Sequence, residues 1–404
     1  MTMTRQAARQ GAFILAVAAA THILHDGLTN SLYLIFPLLR QELHLSLFQV
    51  GLMKTSYAGA LGFGQAPMSL LASRAGEGPL LALGTFGLAL GFMLVGWVPT
   101  YWGILLVLLC AGIGASVQHP LASSLVSRAF QSGSYRLALG TYNFSGDIGK
   151  LAIPAVVGFS LASFGWRWPV TLLGAFGLVA AGLLWVSIGR ARPASLQTPG
   201  ELRAGMWGIR HRDGFRILAS LGMLDDCGRT VTLTFLPFLL LQKGMTTEQV
   251  TVVLMLLFAG GATGKFVCGW LAETVGVVRM IILTEAATAL LLFLVLFTPP
   301  SLIPVLALPL GLGLNGTSSV LYATVAEMAV QGQESRAFGL YYTLVLGVGA
   351  LAPSLFGFVS DLTSVRAVLM ILALLLLFTI PLALGLPRVA RSFPSEKTSA
   401  TGHN

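Results

Sequence analysis

Repeated apolar stretches of roughly 20 residues are the feature that most limits what this chain can become. Each is long enough to cross about 30 Å of hydrocarbon as an α-helix, and together they occupy most of the 404 residues. Hydrophobic residues make up 55% of the sequence and charged residues 10%, a balance that no soluble core of this length absorbs. The pattern therefore predicts an all-α membrane protein with twelve transmembrane helices in two six-helix bundles.

Polar segments set the predicted domain boundaries. The stretch 189–216 is rich in arginine and contains Pro193 and Pro199, which is typical of a linker. The predicted units are an N-terminal six-helix bundle (1–188), a cytoplasmic linker (189–216), a C-terminal six-helix bundle (217–387) and a cytoplasmic tail (388–404).

The orientation in the membrane follows from lysine and arginine in the short loops, because cytoplasmic loops retain positive charge. With both termini inside, the cytoplasmic side holds most of these residues, and the opposite side holds only Arg40, Arg167, Lys243 and Arg366. The net charge of +9 is then mainly a topology signal, and no soluble basic face is predicted that would bind nucleic acid. We expect a multi-pass protein of the bacterial inner membrane.

An internal repeat of about 200 residues relates the two halves. Asp26 aligns with Asp226 and Pro37 with Pro237, so an acidic residue and a proline recur at matching places in the first helix of each half. Parallel repeats of this kind allow one bundle to rock against the other, which alternately exposes a central site to the two sides of the membrane.

A loop motif in the second half, Gly269-x-Leu-Ala-Glu273-x-x-Gly276-x-x-Arg279, resembles the cytoplasmic loop motif of the major facilitator superfamily. The resemblance implies a twelve-helix transporter in which this motif latches helices in one conformational state. In the first half, Arg74 and Gly76 match the motif, whereas Ser73 stands where the family usually has aspartate. The predicted latch residues are Arg74, Gly76, Gly269, Glu273, Gly276 and Arg279.

The first half also resembles the fosmidomycin-resistance type of efflux transporter within that superfamily. The resemblance rests on His22-x-x-His25-Asp26, on Leu45 to Gly51 and on Gly112-x-Gly114 through His119-Pro120 to Arg128. It implies export of a small compound, and it implies that the first helix lines a central cavity.

Ionisable residues inside the predicted spans are the candidate functional groups, since each costs at least about 2.5 kcal/mol near the bilayer centre and needs a partner, water or a function. Carboxylates and imidazoles can carry a coupling proton; the candidates are Asp26, His22, His25, Asp147 and Asp226. Cationic and polar groups can bind an anionic substrate; the candidates are His119, Lys54, Lys150, Asp225, Arg229, Lys265 and Tyr142.

Several alternatives remain open from the sequence. Asp147 with Lys150 and Asp226 with Arg229 share a helix face at a spacing of three, so they can be self-neutralising structural pairs, and Asp26 can pair with a cation of another helix. Exchange of an exported anion or amphiphile for protons is the leading function, and proton symport of an organic anion is the first alternative. Metal export and a non-transporting sensor are less favoured. We expect no enzymatic activity, cofactor or bound metal, and we expect a monomer.

Overall fold

Twelve membrane-length helical segments make up the computed structural model, which describes residues 5–130, 135–188, 207–330 and 334–386. They are α1 Arg5–Leu43, α2 Leu47–Ala75, α3 Glu77–Val95, α4 Tyr101–Ala129, α5 Tyr135–Phe164, α6 Arg167–Ile188, α7 Arg212–Gln242, α8 Thr247–Val275, α9 Val277–Phe297, α10 Ile303–Met328, α11 Glu334–Leu362 and α12 Val365–Leu384. The predicted fold class is confirmed.

The helices extend beyond the apolar stretches that predicted them. The first predicted span covers 13–38 and the seventh begins at 217, whereas α1 covers Arg5–Leu43 and α7 begins at Arg212. Hydropathy detects only the part of a helix that lies in hydrocarbon, and backbone hydrogen bonding continues past it. The predicted linker up to residue 206 and the predicted tail lie outside the described residues.

Ten of the described helices are long and apolar enough to cross a membrane by composition alone. The other two, α2 and α7, carry charge in the middle of their length, at Lys54 in α2 and at Asp225, Asp226 and Arg229 in α7. Their burial within the bundles lets these polar helices sit at membrane depth.

Matching N-terminal caps show that the sequence repeat is also a structural repeat. Ser46 accepts the Gln49 N–H at the start of α2, and the Gln49 side chain returns to the Ser46 N–H. Thr246 and Gln249 form the same capping box at the start of α8. Each box satisfies otherwise free N–H groups of the first turn, and the two lie 200 residues apart.

A π-turn at Gln118–Ala122 interrupts α4. Pro120 lies within it, and because proline has no N–H to donate, the regular hydrogen-bond ladder widens there. His119 lies in this turn and faces the space between the bundles.

The two bundles touch closely at one end, which we call the Ser46 end. A methyl group at Gly51 of α2 would lie 2.1 Å from the Pro353 carbonyl oxygen of α11, so glycine permits this approach. Thr55 donates to the Ala350 carbonyl oxygen at 2.6 Å.

Asp361 adds a charged contact to this seam. Its two carboxylate oxygens accept the Leu47 and Phe48 N–H groups at 2.7 and 2.8 Å. A carboxylate of the C-terminal bundle thus caps the positive end of an N-terminal helix.

The same helices separate toward the opposite end, which we call the Gly76 end and which is the predicted cytoplasmic side. A space of about 840 Å³ lies there between α2 and α11, lined by Phe63 and Leu70 on one side and by Phe338 and Thr343 on the other. The structure is therefore closed at the Ser46 end and more open at the Gly76 end.

Candidate functional site

A polar cavity of about 620 Å³ lies between the two bundles. Both halves supply its walls, with apolar side chains alternating with charged and amide groups. The lining residues are Asp26, Thr29, Asn30, Tyr33, Leu61, Gln65, His119, Pro120, Ser123, Asn143, Lys150, Arg229, Leu233, Phe258, Lys265, Asn315, Ser318, Tyr322, Tyr342 and Leu346. Such a mixture can hold a small solute with a charged group and an apolar body.

A chain of four alternating charges crosses this cavity from one bundle to the other. The Lys150 ammonium of α5 lies 3.2 Å from Asp26 Oδ2 of α1 and 3.1 Å from Asp147 Oδ1. Lys265 of α8 reaches back across the interface to Asp147, at 2.7 and 2.9 Å from its two carboxylate oxygens. The expected Asp147–Lys150 pair is present, and its extension to Asp26 and Lys265 joins three helices.

His22 lies behind Asp26, at the end of this chain of charges. Its Nδ1 donates to the Tyr142 carbonyl oxygen at 2.8 Å, which leaves Nε2 facing Asp26 Oδ2 at 3.4 Å. A methyl group at Gly146 of α5 would lie 2.6 Å from His22 Nε2 and 2.7 Å from Asp26 Oδ2. Glycine at this position therefore lets the imidazole and carboxylate meet beside α5.

In the C-terminal bundle, Asp226 and Arg229 form the expected ion pair on one face of α7. Arg229 lines the cavity and Asp226 is buried. The adjacent Asp225 is buried as well and lies within hydrogen-bond reach of Glu285 on α9. Sequence analysis missed Glu285, although a single carboxylate within the apolar stretch 280–298 was the available signal.

Lys54 is more deeply buried than the cations that line the cavity. Its side chain is 4% exposed, and its ammonium lies 4.4 Å from the centre of the Tyr33 ring. Among the described residues no carboxylate forms an ion pair with it. A buried cation supported only by an aromatic face keeps its capacity to attract an anion.

Not every predicted site residue borders the cavity. His119 does, whereas His25, Tyr142 and Asp225 are buried behind its wall. His25 Nε2 lies 2.9 Å from the Thr85 hydroxyl, and the Tyr142 ring stacks on His22 at a centroid distance of 4.4 Å. Tyr142 therefore acts on the cavity through the position of His22.

One group of side chains has ligand atoms at the spacing a metal ion would require. Those of His22, Asp26 and His119 all lie within 4.8 Å of one another. The Lys150 ammonium, 3.2 Å from Asp26 Oδ2, competes for the same carboxylate and repels a cation. The arrangement favours a charge network over a resident metal.

The predicted latch residues Gly76 and Gly276 end equivalent helices in the two halves, and among the described residues neither Glu273 nor Arg279 is paired by charge. Gly76 and Gly276 both have positive φ, 89° and 91°, and end α2 and α8 with the same turn. Glu273 and Arg279 are exposed and form no ion pair with any side chain that the structure describes.

An unpredicted ion pair ties the N-terminal bundle near this turn. Buried Glu77, the residue after Gly76, pairs with Arg128 of α4 and accepts a hydrogen bond from Ser124 at 2.8 Å. In the first half, the acidic residue that ties this loop to its bundle is therefore Glu77, directly after the turn at Gly76.

The twelve-helix fold, the two-fold repeat and the charged central cavity define a secondary membrane transporter. The family model of the Major Facilitator Superfamily matches residues 18–221 and again residues 218–403, one match for each half. The chain belongs to the Major Facilitator Superfamily. It is a multi-pass membrane transporter of small molecules and not an enzyme.

Two similar proteins match most of the chain, and a third matches part of it. The human Monocarboxylate transporter 11 is 28% identical over 408 residues, covering 95% of this chain and 84% of that protein. The Fosmidomycin resistance protein of Escherichia coli strain K12 is 23% identical over 376 residues, covering 91% of each. The Probable L-galactonate transporter of the same organism is 27% identical over 154 residues, or 38% of this chain and 34% of that one.

Solved structures share the fold. The crystal structure of nucleoside transporter NupG superposes with a TM-score of 0.76 at 15% identity and covers 93% of this chain and 98% of that one. An inward-facing, unoccupied bacterial homologue of the human lysosomal transporter Spinster superposes with a TM-score of 0.75 at 14% identity, over 97% and 100% of the two chains.

Proposed function

We propose that this protein is a proton-coupled transporter of a small organic anion, located in a bacterial inner membrane with both termini in the cytoplasm. The observation that carries the proposal is the chain of charges Asp26, Lys150, Asp147 and Lys265, which joins both bundles. Asp26, Lys150 and Lys265 line the cavity, and Asp147 is buried beside it. Two relatives carry names that refer to carboxylates, a monocarboxylate and L-galactonate, and these names support an anionic substrate.

The coupling follows from competition for the lysines. In the structure the carboxylates of Asp26 and Asp147 neutralise the ammonium groups of Lys150 and Lys265. A proton on Asp26 removes its charge and frees Lys150 to pair with an incoming anion. The anion and the proton then bind together, and the pair crosses the membrane without net charge.

This competition favours symport of anion and proton over their exchange. The sequence favoured exchange, which requires the two ligands to displace each other. Where carboxylates hold a lysine, protonation of a carboxylate assists binding of the anion to that lysine. The same carrier then exports or imports the anion and proton together, according to the anion and proton gradients.

Purified protein in liposomes with a trapped pH dye tests the proposal. Addition of a series of monocarboxylates and phosphonates outside should acidify the lumen in the presence of wild-type protein and should not do so with Asp26→Asn. The matched control is Asp213→Asn, because Asp213 is an exposed carboxylate whose ion pair among the described residues is with Arg216.

The sign of the pH change separates the two mechanisms. Anion-dependent acidification supports symport, and anion-dependent alkalinisation supports exchange. Anion uptake without any pH change, measured with radiolabelled substrate, would overturn proton coupling. Equal proton fluxes in wild type and Asp26→Asn would remove Asp26 from the coupling site.

A further inference from the structure

Two acidic side chains meet in the C-terminal bundle, away from the chain of charges that carries the proposed function. Asp225 of α7 is 5% exposed and Glu285 of α9 is 2% exposed. Their carboxyl groups lie within hydrogen-bond reach of each other, and Glu285 also lies within reach of the Thr317 hydroxyl of α10. Neither acid borders the cavity, whose wall here is formed by Arg229 and Tyr322.

The equivalent contact in the N-terminal bundle is made by residues that are not acidic. Positions 25 and 85 of the N-terminal bundle match positions 225 and 285, and there His25 Nε2 lies 2.9 Å from the Thr85 hydroxyl. The same two helices of each bundle are therefore joined by one polar side-chain contact. A neutral imidazole and hydroxyl are sufficient for this contact, so packing alone does not require two carboxyl groups.

Two unpartnered hydroxyl groups lie one helical turn from the acids. The Tyr341 hydroxyl is buried without a hydrogen-bond partner and lies against Gly222, three residues before Asp225 on α7. The Thr288 hydroxyl is buried, also unpartnered, and follows Glu285 by three residues on α9. Buried polar groups normally have partners, so these hydroxyls mark polar surroundings that can accept or donate a proton.

The charges around the pair do not balance two carboxylates. The titratable groups near Asp225 are Glu285, Arg229, Tyr322 and Tyr341, and Arg229 is held by Asp226. Two buried carboxyl groups within hydrogen-bond reach of each other disfavour double ionisation, because like charges in a poorly solvated site repel strongly.

We infer that Asp225 and Glu285 share a proton and form a second protonation site, in the C-terminal bundle, distinct from Asp26. One carboxyl group donates a hydrogen bond to the other carboxylate, and the pair titrates as a unit. The proton leaves to cavity water when the Arg229 guanidinium turns from Asp226 to Asp225 and supplies the positive charge instead. An anion that holds Arg229 in the cavity thus keeps the proton on the pair.

Infrared difference spectroscopy of the purified transporter without substrate tests this inference. A protonated carboxyl group has a C=O stretching band that a carboxylate lacks. At neutral pH the wild type should show such a band, and both Asp225→Asn and Glu285→Gln should lose it. The controls Asp26→Asn and Asp226→Asn should keep it, because Lys150 and Arg229 pair with those two carboxylates.

A double variant based on the N-terminal repeat tests the inference if the single variants Asp225→Asn and Glu285→Gln fail to fold. Asp225→His/Glu285→Thr places the N-terminal pair in the C-terminal bundle, and we expect it to fold and to lack the band. No band in the wild type, or a band that persists in both Glu285→Gln and the double variant, overturns the inference. Loss of the band in Asp26→Asn alone would assign the proton to Asp26, which would leave the proposed function intact and remove the second site.

Discussion

At the residue scale, the site depends on how closely α1 and α5 approach. Gly146→Ala would place a methyl group 2.6 Å from His22 Nε2 and 2.7 Å from Asp26 Oδ2, so the imidazole and the carboxylate must move apart. We expect transport to fall at least about tenfold and the free energy of unfolding to fall by about 1–3 kcal/mol, as for other overpacked positions.

The matched control is Gly140→Ala on the same helix, where a methyl group meets nothing within 4 Å. It should retain transport, and its stability should rise slightly because alanine favours the helix by up to about 1 kcal/mol. Liposome uptake and thermal unfolding in detergent measure both effects. Equal losses in the two variants would mean that helix α5, and not the His22–Asp26 contact, is sensitive to alanine.

At the same scale, the Asp147–Lys265 contact is the charged link between the bundles in the cavity. A double-mutant cycle of Asp147→Asn and Lys265→Gln should give a coupling energy of about 0.5–3 kcal/mol, because Asp147 is buried and Lys265 is partly buried. The exposed pair Asp213–Arg216 should give only about 0.3–0.5 kcal/mol. Chemical denaturation of the four proteins in each cycle measures these energies, and equal coupling in both cycles would contradict a special role for the cavity pair.

At the element scale, the start of α2 is held by a carboxylate of α11. Asp361→Asn removes the charge that faces the first N–H groups of α2, an interaction worth about 0.3–1 kcal/mol at a helix N-terminus. We expect the equilibrium to shift two- to fivefold toward conformations open at the Ser46 end. Labelling of Thr55→Cys, in a background where Cys110, Cys227 and Cys268 are replaced, should accelerate accordingly.

The control for that experiment is again Asp213→Asn, which removes an acid without touching α2. Its Thr55→Cys labelling rate should equal that of the parent. If Asp361→Asn also leaves the rate unchanged, contacts other than the Asp361 cap, such as the close approach at Gly51, close this seam.

At the whole-molecule scale, binding of one anion together with one proton predicts electroneutral transport. A membrane potential acts on a moving charge with about 2.3 kcal/mol per 100 mV, or about 50-fold in an accumulation ratio. Accumulation driven by a pH gradient should therefore change less than about twofold when a potassium diffusion potential of 100 mV is imposed. A larger change would mean that additional charge moves, for example a second proton.

The sequence predicted the fold and part of the site. The length of the apolar stretches identifies the membrane helices, and a spacing of three residues places Asp147 beside Lys150 on one helix face. The contacts of Asp26 with Lys150 and of Asp147 with Lys265 join different helices, and their distances depend on crossing geometry that one sequence does not encode locally. Glu285 escaped notice because the repeat aligns it with neutral Thr85, so the symmetry that drew attention to Asp226 gave no signal there.

The carboxylate cap at the Ser46 end has no counterpart at the other seam between the bundles. There α5 meets α8 where Gly158 packs against Thr251, and α5 carries no acidic residue after Asp147. At the Ser46 end, separating α5 from α8 breaks the contact of Gly158 with Thr251 and leaves the Asp147–Lys265 ion pair further along these helices. Separating α2 from α11 removes a carboxylate from a helix N-terminus. We therefore expect the bundles to rotate about the α2–α11 contact and to separate first between α5 and α8. A solute leaving at the Ser46 end would then pass beside α5 and α8.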